Sequence, residues 1–346
     1  AGFFTALAVA ESKLLSGESR RAMIVSGEYI THLTKTAQLE IEGFLDPRLA
    51  CLTLGDAGVA VIVELTDSGA GFETLELYTA GRHHQLCVAK ATDQPHGGAI
   101  MLTDAIKASA VTLDHSVRHA HRVIDAHRWT TDDVQHVIMH QTSSTTLDGA
   151  IEELNRHFDA PVCTHANTVN NLRQRGNTAS TTHWVAVMDM IRQGRIHEGD
   201  KAVFAISGSG QTIGTALYQF DNLPDRIATP GAAAKDTHRI DPGAVGRFGV
   251  QIVAAAVDRT RHDTQGGDPP IAGHNVVQSA VSAASSCLQA ATWGAEDVQM
   301  LVHTGVYRDD FLSEPAVAAI LAGELKMNEG VPVDTTRQTL AFDLAD

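Results

Sequence analysis

One twelve-residue block occurs twice in this chain of 346 residues. W-T-T-D-D-V-Q-H-V-I-M-H at 129–140 aligns without gaps on W-G-A-E-D-V-Q-M-L-V-H-T at 293–304. Trp129 matches Trp293, Asp133 matches Asp297, Val134 matches Val298 and Gln135 matches Gln299. Each block follows a long Ala-rich helical stretch and precedes a polar loop. Chance is a poor explanation for four identities with matching flanks. A second correspondence links the Gly-rich turns and strands at 55–65 and 208–220. Two α/β halves of common plan, packed on each other, account for both.

Composition bounds the function class. Hydrophobic residues are 43% of the chain, enough for a sizeable core, and the net charge is −15. That charge argues against a general affinity for nucleic acid or acidic membranes. The cysteines, Cys51, Cys87, Cys163 and Cys287, are far apart and form no CxxC. Neither a metal site nor a disulfide framework follows, and a reducing cytoplasm is the expected location. No apolar run reaches the roughly 18 residues of a membrane span. Residues 1–12 have the apolar core of a secretion signal, but no basic flank precedes them and Glu11 follows at once. A helix stopped by Gly17 is the better reading.

Along the chain, residues 1–16 read as a helix, 20–29 as a buried strand, and 50–65 as a Gly-rich turn into a strand. A long helix spans 103–128, a strand 133–141 and a helix 183–194, with Gly194 as its stop. Residues 201–220 repeat the strand, Gly turn, strand pattern. The aperiodic stretch 221–246, rich in Pro, Gly, Ala and charge, reads as a linker. A strand from Arg247, a helix at 276–291, a strand at 297–306, a helix at 314–325 and a buried closing strand follow.

Few residues stand out for chemistry. His140 follows a hydrophobic strand and leads into the polar loop QTSSTT, and α/β folds place working groups at the carboxyl ends of strands. Asn177 sits between Gly176 and a helix start, where an ordinary N-cap would also explain it. Gly208, Ser209 and Gly210 could present backbone N–H groups to an oxyanion, although a Gly-rich hairpin looks the same. His83, His84, His115, His119, His121 and His127 lack a strong ligand spacing such as HExxH. They read as a solvated face rather than a metal site.

Taken together, AGFFTALAVAESKLLSG, RRAMIVSGE, LGDAGVAVIVE, VIMHQTSS, LRQRGNTASTT, AISGSGQTIG and the terminal AFDLAD resemble the thiolase superfamily. The closest likeness is to β-ketoacyl-acyl-carrier-protein synthase III. The resemblance covers roughly 1–222 and 248–346. It implies an α/β fold of five layers, αβαβα, with two similar halves: 248–346 plus 1–80, and 81–222, joined by a linker at 223–247. In that family the F-D strand runs through a short turn to a nucleophilic Cys, followed almost at once by A-G-F and a helix. His140 and Asn177 match the His and Asn that complete the triad, and Gly210 matches the oxyanion glycine.

The chain departs from the family in order and in the nucleophile. The family's amino-terminal part is here residues 248–346, and its continuation is 1–222. A circular permutation, half of one synthase followed by half of the next, or a reordered chain would each read this way. The nucleophile position falls at or just before Ala1, and Asp346 stops about two residues short of it. None of the four cysteines is assigned the role. If the motif is split, Asp346 and Ala1 should lie within roughly 11 Å, the reach of two residues.

The resemblance implies acyl transfer with decarboxylative Claisen condensation between an acyl thioester and a malonyl-type thioester. A neutral His140 and Asn177 would donate to the thioester carbonyl and stabilise the enolate, and Gly210 N–H would face the acyl-enzyme oxyanion. Arg173 and Arg175, with Gln174 at the matching position, are candidates for binding coenzyme A or a carrier protein. No permanently bound cofactor or metal is expected, and acyl-CoA or the phosphopantetheine of an acyl carrier protein would be substrate. A homodimer is the family habit. Transfer to an alcohol or amine without condensation, and a non-catalytic partner subunit, remain the alternatives.

Overall fold

The computed structural model describes residues 1–228, 249–258, 276–305, 317–329 and 339–345. The first segment runs α1 (Gly2–Leu15), β1 (Arg21–Glu28), α2 (His32–Glu40), β2 (Ala57–Leu65) and β3 (Gly71–Thr79). A hairpin of β4 (Cys87–Ala91) and β5 (Ala99–Thr103) precedes α3 (Ala105–Ala126), β6 (His136–Met139) and α4 (Ser144–Phe158). Next come α5 (Leu172–Arg175), α6 (Thr182–Arg192), β7 (Lys201–Gly208), β8 (Thr212–Gln219) and α7 (Leu223–Ala228). The later segments supply β9 (Val250–Asp258), α8 (Val276–Ala291), β10 (Met300–Gly305), α9 (Val317–Glu324) and β11 (Leu340–Ala345).

Among the described residues, nine strands join in the order β11-β10-β1-β2-β9-β3-β8-β7-β6. The sheet has two arms of one plan. In the first arm β1 lies parallel to β10 and antiparallel to β2, with β9 beyond β2. In the second, β7 lies parallel to β6 and antiparallel to β8, with β3 beyond β8. The arms meet where β3 touches β9, at Phe72 and Val250. An outermost strand equivalent to β11 would lie beside β6. There the irregular segment near Asn167 makes one bond, from the Val137 N–H to the Asn167 carbonyl.

Both faces of each arm are covered, so strand residues alternate between two apolar layers rather than between core and solvent. Ala22, Ile24, Val59 and Val61 of the first arm and Phe204, Ile206, Ala216 and Tyr218 of the second face α1 and α6. Met23, Val25, Ala60 and Ile62 face α8 and α9. Val137, Met139, Val203 and Leu217 face α3 and α4. The layers are thus helix, sheet, helix, sheet, helix, and α1 and α6 are the middle layer. Phe3, Phe4, Trp184 and Phe204 pack there with ring centroids 5.3–6.0 Å apart.

The sequence repeat folds into one repeated clasp. Gln135 accepts from the Lys201 N–H (2.9 Å) and Gln299 from the Arg21 N–H (3.0 Å). Lys201 Nζ lies 4.9 Å from the Trp129 ring centre, and the Arg21 guanidinium 3.9 Å from that of Trp293. The same cations pair with Asp133 at 2.9 Å and Asp297 at 3.5 Å. In each arm the clasp ties the segment leading into the block's own strand to the first residue of its parallel neighbour.

Three expectations need correction. β3 pairs along its length with β8, so the arms part between Leu65 and Gly71, not at residue 80. The closing strand is an edge strand, and Leu340 is 58% exposed. The proposed linker begins as a helix, α7, whose buried Arg226 bonds Asp221 and the Ile252 and Val253 carbonyls. The rest of that linker, and Asp346, lie outside the described residues.

Candidate functional site

The middle-layer helices carry the site because of how each arm is wound. Helix α1 descends beside the sheet and returns through a short turn as β1, which is parallel to β10 and β11. At ~1.5 Å per residue its fourteen residues retrace the strand, so its amino end lies at the carboxyl end of the parallel strands. Ala1 packs with the same core cluster as Leu344 near the end of β11. Its carbonyl accepts from the Phe4 and Thr5 N–H groups.

Gly208, at the end of β7, meets this amino end. A Cβ there would stand 3.0 Å from the Ala1 Cβ and 3.2 Å from its nitrogen, so only glycine fits without displacement. Gly210 occupies the β7–β8 turn at φ +104°, a conformation that favours glycine, with open space where a side chain would be. The close contact with α1 therefore belongs to Gly208, and Gly210 shapes the turn beside it.

His140 directly follows β6, and its Nδ1 is shut off from solvent without a partner among the described residues. Burial drives its pKa well below the ordinary histidine value, helped by the neighbouring His183. Gln141 holds the strand end: its N–H donates to Thr182 Oγ1, and its side chain bonds the Met139 and Val169 carbonyls. Asn177 forms a bridge with Leu54, exchanging bonds with the Thr53 carbonyl and the Gly55 N–H. Its Oδ1 accepts from the Ala179 N–H, and Nδ2 is the side chain's donor. A buried Glu28 pins the same loop by accepting from Ser180 Oγ and N–H.

A cavity of about 470 Å³ is lined by the segments next to His140 and Asn177 in the chain, though neither side chain lines it. Thr142, Ser143 and Ser144, which follow His140, form one wall, and Arg173 to Gly176, which precede Asn177, form another. The candidate cations differ. Arg175 is committed to Asp189 by two bonds of 2.9 and 3.0 Å, so it is a structural residue rather than a free phosphate ligand. Arg173 and Gln174 are exposed on the cavity wall.

The cysteines lie away from the amino end of α1. Cys51, Cys163 and Cys287 are buried. Burial pushes the thiols of Cys163 and Cys287 up to about 12, and that of Cys51 upward too. The histidine-rich face is only partly solvated. His119 is buried against Thr215 Oγ1, and burial lowers its pKa to about 4. Among the described residues no three His, Cys, Asp or Glu side chains converge as metal ligands, and no helix is long and apolar enough to cross a membrane. The site residue missed in the sequence is His183, at the start of α6. A lone histidine heading an otherwise apolar helix was the available signal.

A duplicated αβαβα frame with its working groups at strand ends defines the thiolase fold. Two sequence models of 3-oxoacyl-(acyl-carrier-protein) synthase III match the chain, one over residues 1–81 and the carboxy-terminal one over 124–220. The chain belongs to that family. The synthase III of Rhizorhabdus wittichii is 26% identical over 223 residues, and that of Rhodospirillum centenum 24% over 227. These alignments take in 63% of this chain and 64% of each relative, so the chain spans less than two thirds of the relatives' length. Among solved structures, synthase III of Thermus thermophilus superposes with a TM-score of 0.51 at 20% identity, covering 64% of this chain and 67% of that one. Xanthomonas campestris OleA, solved with lauric acid and lauroyl-CoA, gives 0.51 at 17% identity over 63% of each chain.

Proposed function

We propose that the chain carries the decarboxylating half of a synthase III site, acting on an acyl thioester and a malonyl-type thioester. The observation that carries this reading is the buried, unpartnered Nδ1 of His140 at the end of a parallel strand, its ring 5.8 Å from that of His183, which in turn meets Phe4 in the first turn of α1. A histidine held neutral there can donate a hydrogen bond to a thioester oxygen, and Asn177 Nδ2 can donate a second. As the malonyl carboxylate leaves as CO2, its bonding electrons pass to the α-carbon and the carbonyl oxygen gains charge that both donors stabilise. Each such donor is worth on the order of 3 kcal/mol in comparable sites.

The acyl group would be held by a cysteine at or just before Ala1, where the α1 dipole favours a thiolate, with the Gly210 N–H facing the oxyanion. Arg173 and Gln174 would meet coenzyme A or carrier-protein phosphopantetheine at the cavity mouth, and the assembly would be a homodimer. Decarboxylation needs only the two donors, so it tests the reading directly. Malonyl-CoA incubated with the protein should yield acetyl-CoA and CO2, and His140→Ala and Asn177→Ala should each slow the reaction by about 100- to 1,000-fold. Turnover unaffected by either substitution would overturn the reading.

A further inference from the structure

We propose that His183 is a positioning residue: its imidazole joins the carboxyl ends of β6 and β7 to the first turn of α1 and thereby fixes the His140 ring. The inference rests on the role given to His140 above. His183 lies in the first turn of α6 and is 2% exposed, among apolar rings. Its Nε2–H donates to the Ala205 carbonyl at 2.9 Å, and Ala205 is the β7 residue paired with Met139, the last residue of β6. Its ring lies 5.8 Å from that of His140 and meets Phe4 of α1 edge-on at 5.2 Å. The preceding residue, Thr182, takes the N–H of Gln141, on the other side of His140.

Two adjacent residues of α6 therefore bracket His140, one bonded just beyond it and one bonded to the strand residue opposite its predecessor. A valine or leucine at position 183 would suit the apolar surroundings better and would carry no polar atom into them. Histidine is retained at a desolvation cost that only its donor bond offsets. Because the same ring touches Phe4, a displacement of the α1 amino end is transmitted to His140 through one side chain. Catalytic hydrogen bonds are sensitive to such displacement, and an ångström of misplacement can cost on the order of 100-fold in rate.

The test compares wild type with His183→Met and His183→Phe, which lack a donor, and His183→Gln, which can still donate to Ala205. Malonyl-CoA decarboxylation and the 15N imidazole signals of His140 are both read, in whichever donor-less variant folds. Loss of roughly 10- to 100-fold in kcat with KM held within twofold, altered His140 signals, and recovery in His183→Gln are the expected result. Unchanged kcat with unchanged His140 signals would overturn the inference. If wild type fails to decarboxylate malonyl-CoA, the functional reading fails instead. The His140 signals then decide this one alone: altered in the donor-less variants they uphold it, and unaltered they refute it.

Discussion

The two arms share a clasp down to single hydrogen bonds, yet only the second carries a candidate site residue at the strand end that closes its repeat. Trp129, Asp133, Gln135 and Lys201 do in the second arm what Trp293, Asp297, Gln299 and Arg21 do in the first. Eleven residues after each tryptophan the arms diverge, to His140 in one and Thr304 in the other. His140 is buried beside His183 of α6, whose ring meets Phe4 of α1. The preceding His303 of the first arm is instead buried against Asp343, which also accepts from the Val317 and Ala318 N–H groups at the start of α9. The part of the repeat that joins strands is the same in both arms, and the strand ends differ.

The sharpest way to break that division is at the two strand ends. His140→Ala should lower malonyl decarboxylation by about 100- to 1,000-fold, the usual loss for one oxyanion donor. Thr304→Ala should leave kcat within a few-fold of wild type. Comparable losses in both variants, measured as acetyl-CoA release, would mean the strand end of the first arm also contributes to decarboxylation.

The clasps should differ in stability rather than kind. Trp129 is 6% exposed and buried among α3 and α4 residues, and its Nε1 donates to Glu73 at 2.8 Å. Trp293 is only partly buried against its cluster. Trp129→Ala should cost about 3 kcal/mol or more and Trp293→Ala about half that, by denaturant unfolding. A larger loss at Trp293 would show that the first arm is the more tightly built.

How much of this was legible in the sequence depends on the range of the interaction. The repeat, the Gly turns, α1, α3, α6 and α8 are local patterns, and their positions followed from them. The pairing of β3 with β8 was not legible, because a strand's own alternation does not name its neighbour. Arg175 read as a free cation since Asp189, fourteen residues on, looks like any polar residue of a helix. His119 read as solvated because the Thr215 beneath it is 96 residues away. His140 and Asn177 were candidates from their local pattern and took roles only through the family likeness, and His183, which that likeness does not mark, was missed.

Acid stability sharpens the contrast from another side. His119 and His183, both in the second half, are held near 4 and near 3 by burial. Their folded values are depressed, so the unfolded chain takes up protons first, and stability falls as pH drops below about 6.5. By pH 5 each should cost about 2 kcal/mol, the gap between 6.5 and 5 converted at about 1.4 kcal/mol per unit. Unfolding midpoints measured between pH 7 and 5 should fall less in His119→Gln than in wild type. An equal fall would mean His119 is protonated without cost in the native state.

The smallest expected effect probes the acidic residue each clasp repeats. Asp133 Oδ2 accepts from the Thr130 N–H at 2.8 Å and from its hydroxyl at 2.9 Å, while Oδ1 meets Lys201. The Thr130 N–H bond first, and Lys201 second, hold its pKa down to about 2. In the other arm Asp297 accepts from Gly294, which has no hydroxyl to offer, and its cation stands at 3.5 Å. Asp133→Asn should therefore destabilise more than Asp297→Asn. Because Asp133 is about a third exposed, solvent screening holds its cost to about 1 kcal/mol at pH 7. A depressed carboxylate stabilises only above its unfolded pKa, near 3.9, so this difference should be constant at neutral pH and vanish as pH falls from about 4 towards 2. A double substitution with Lys201→Met locates the source. If the Asp133→Asn cost survives in that background the Thr130 bonds carry it, and if it disappears the ion pair does.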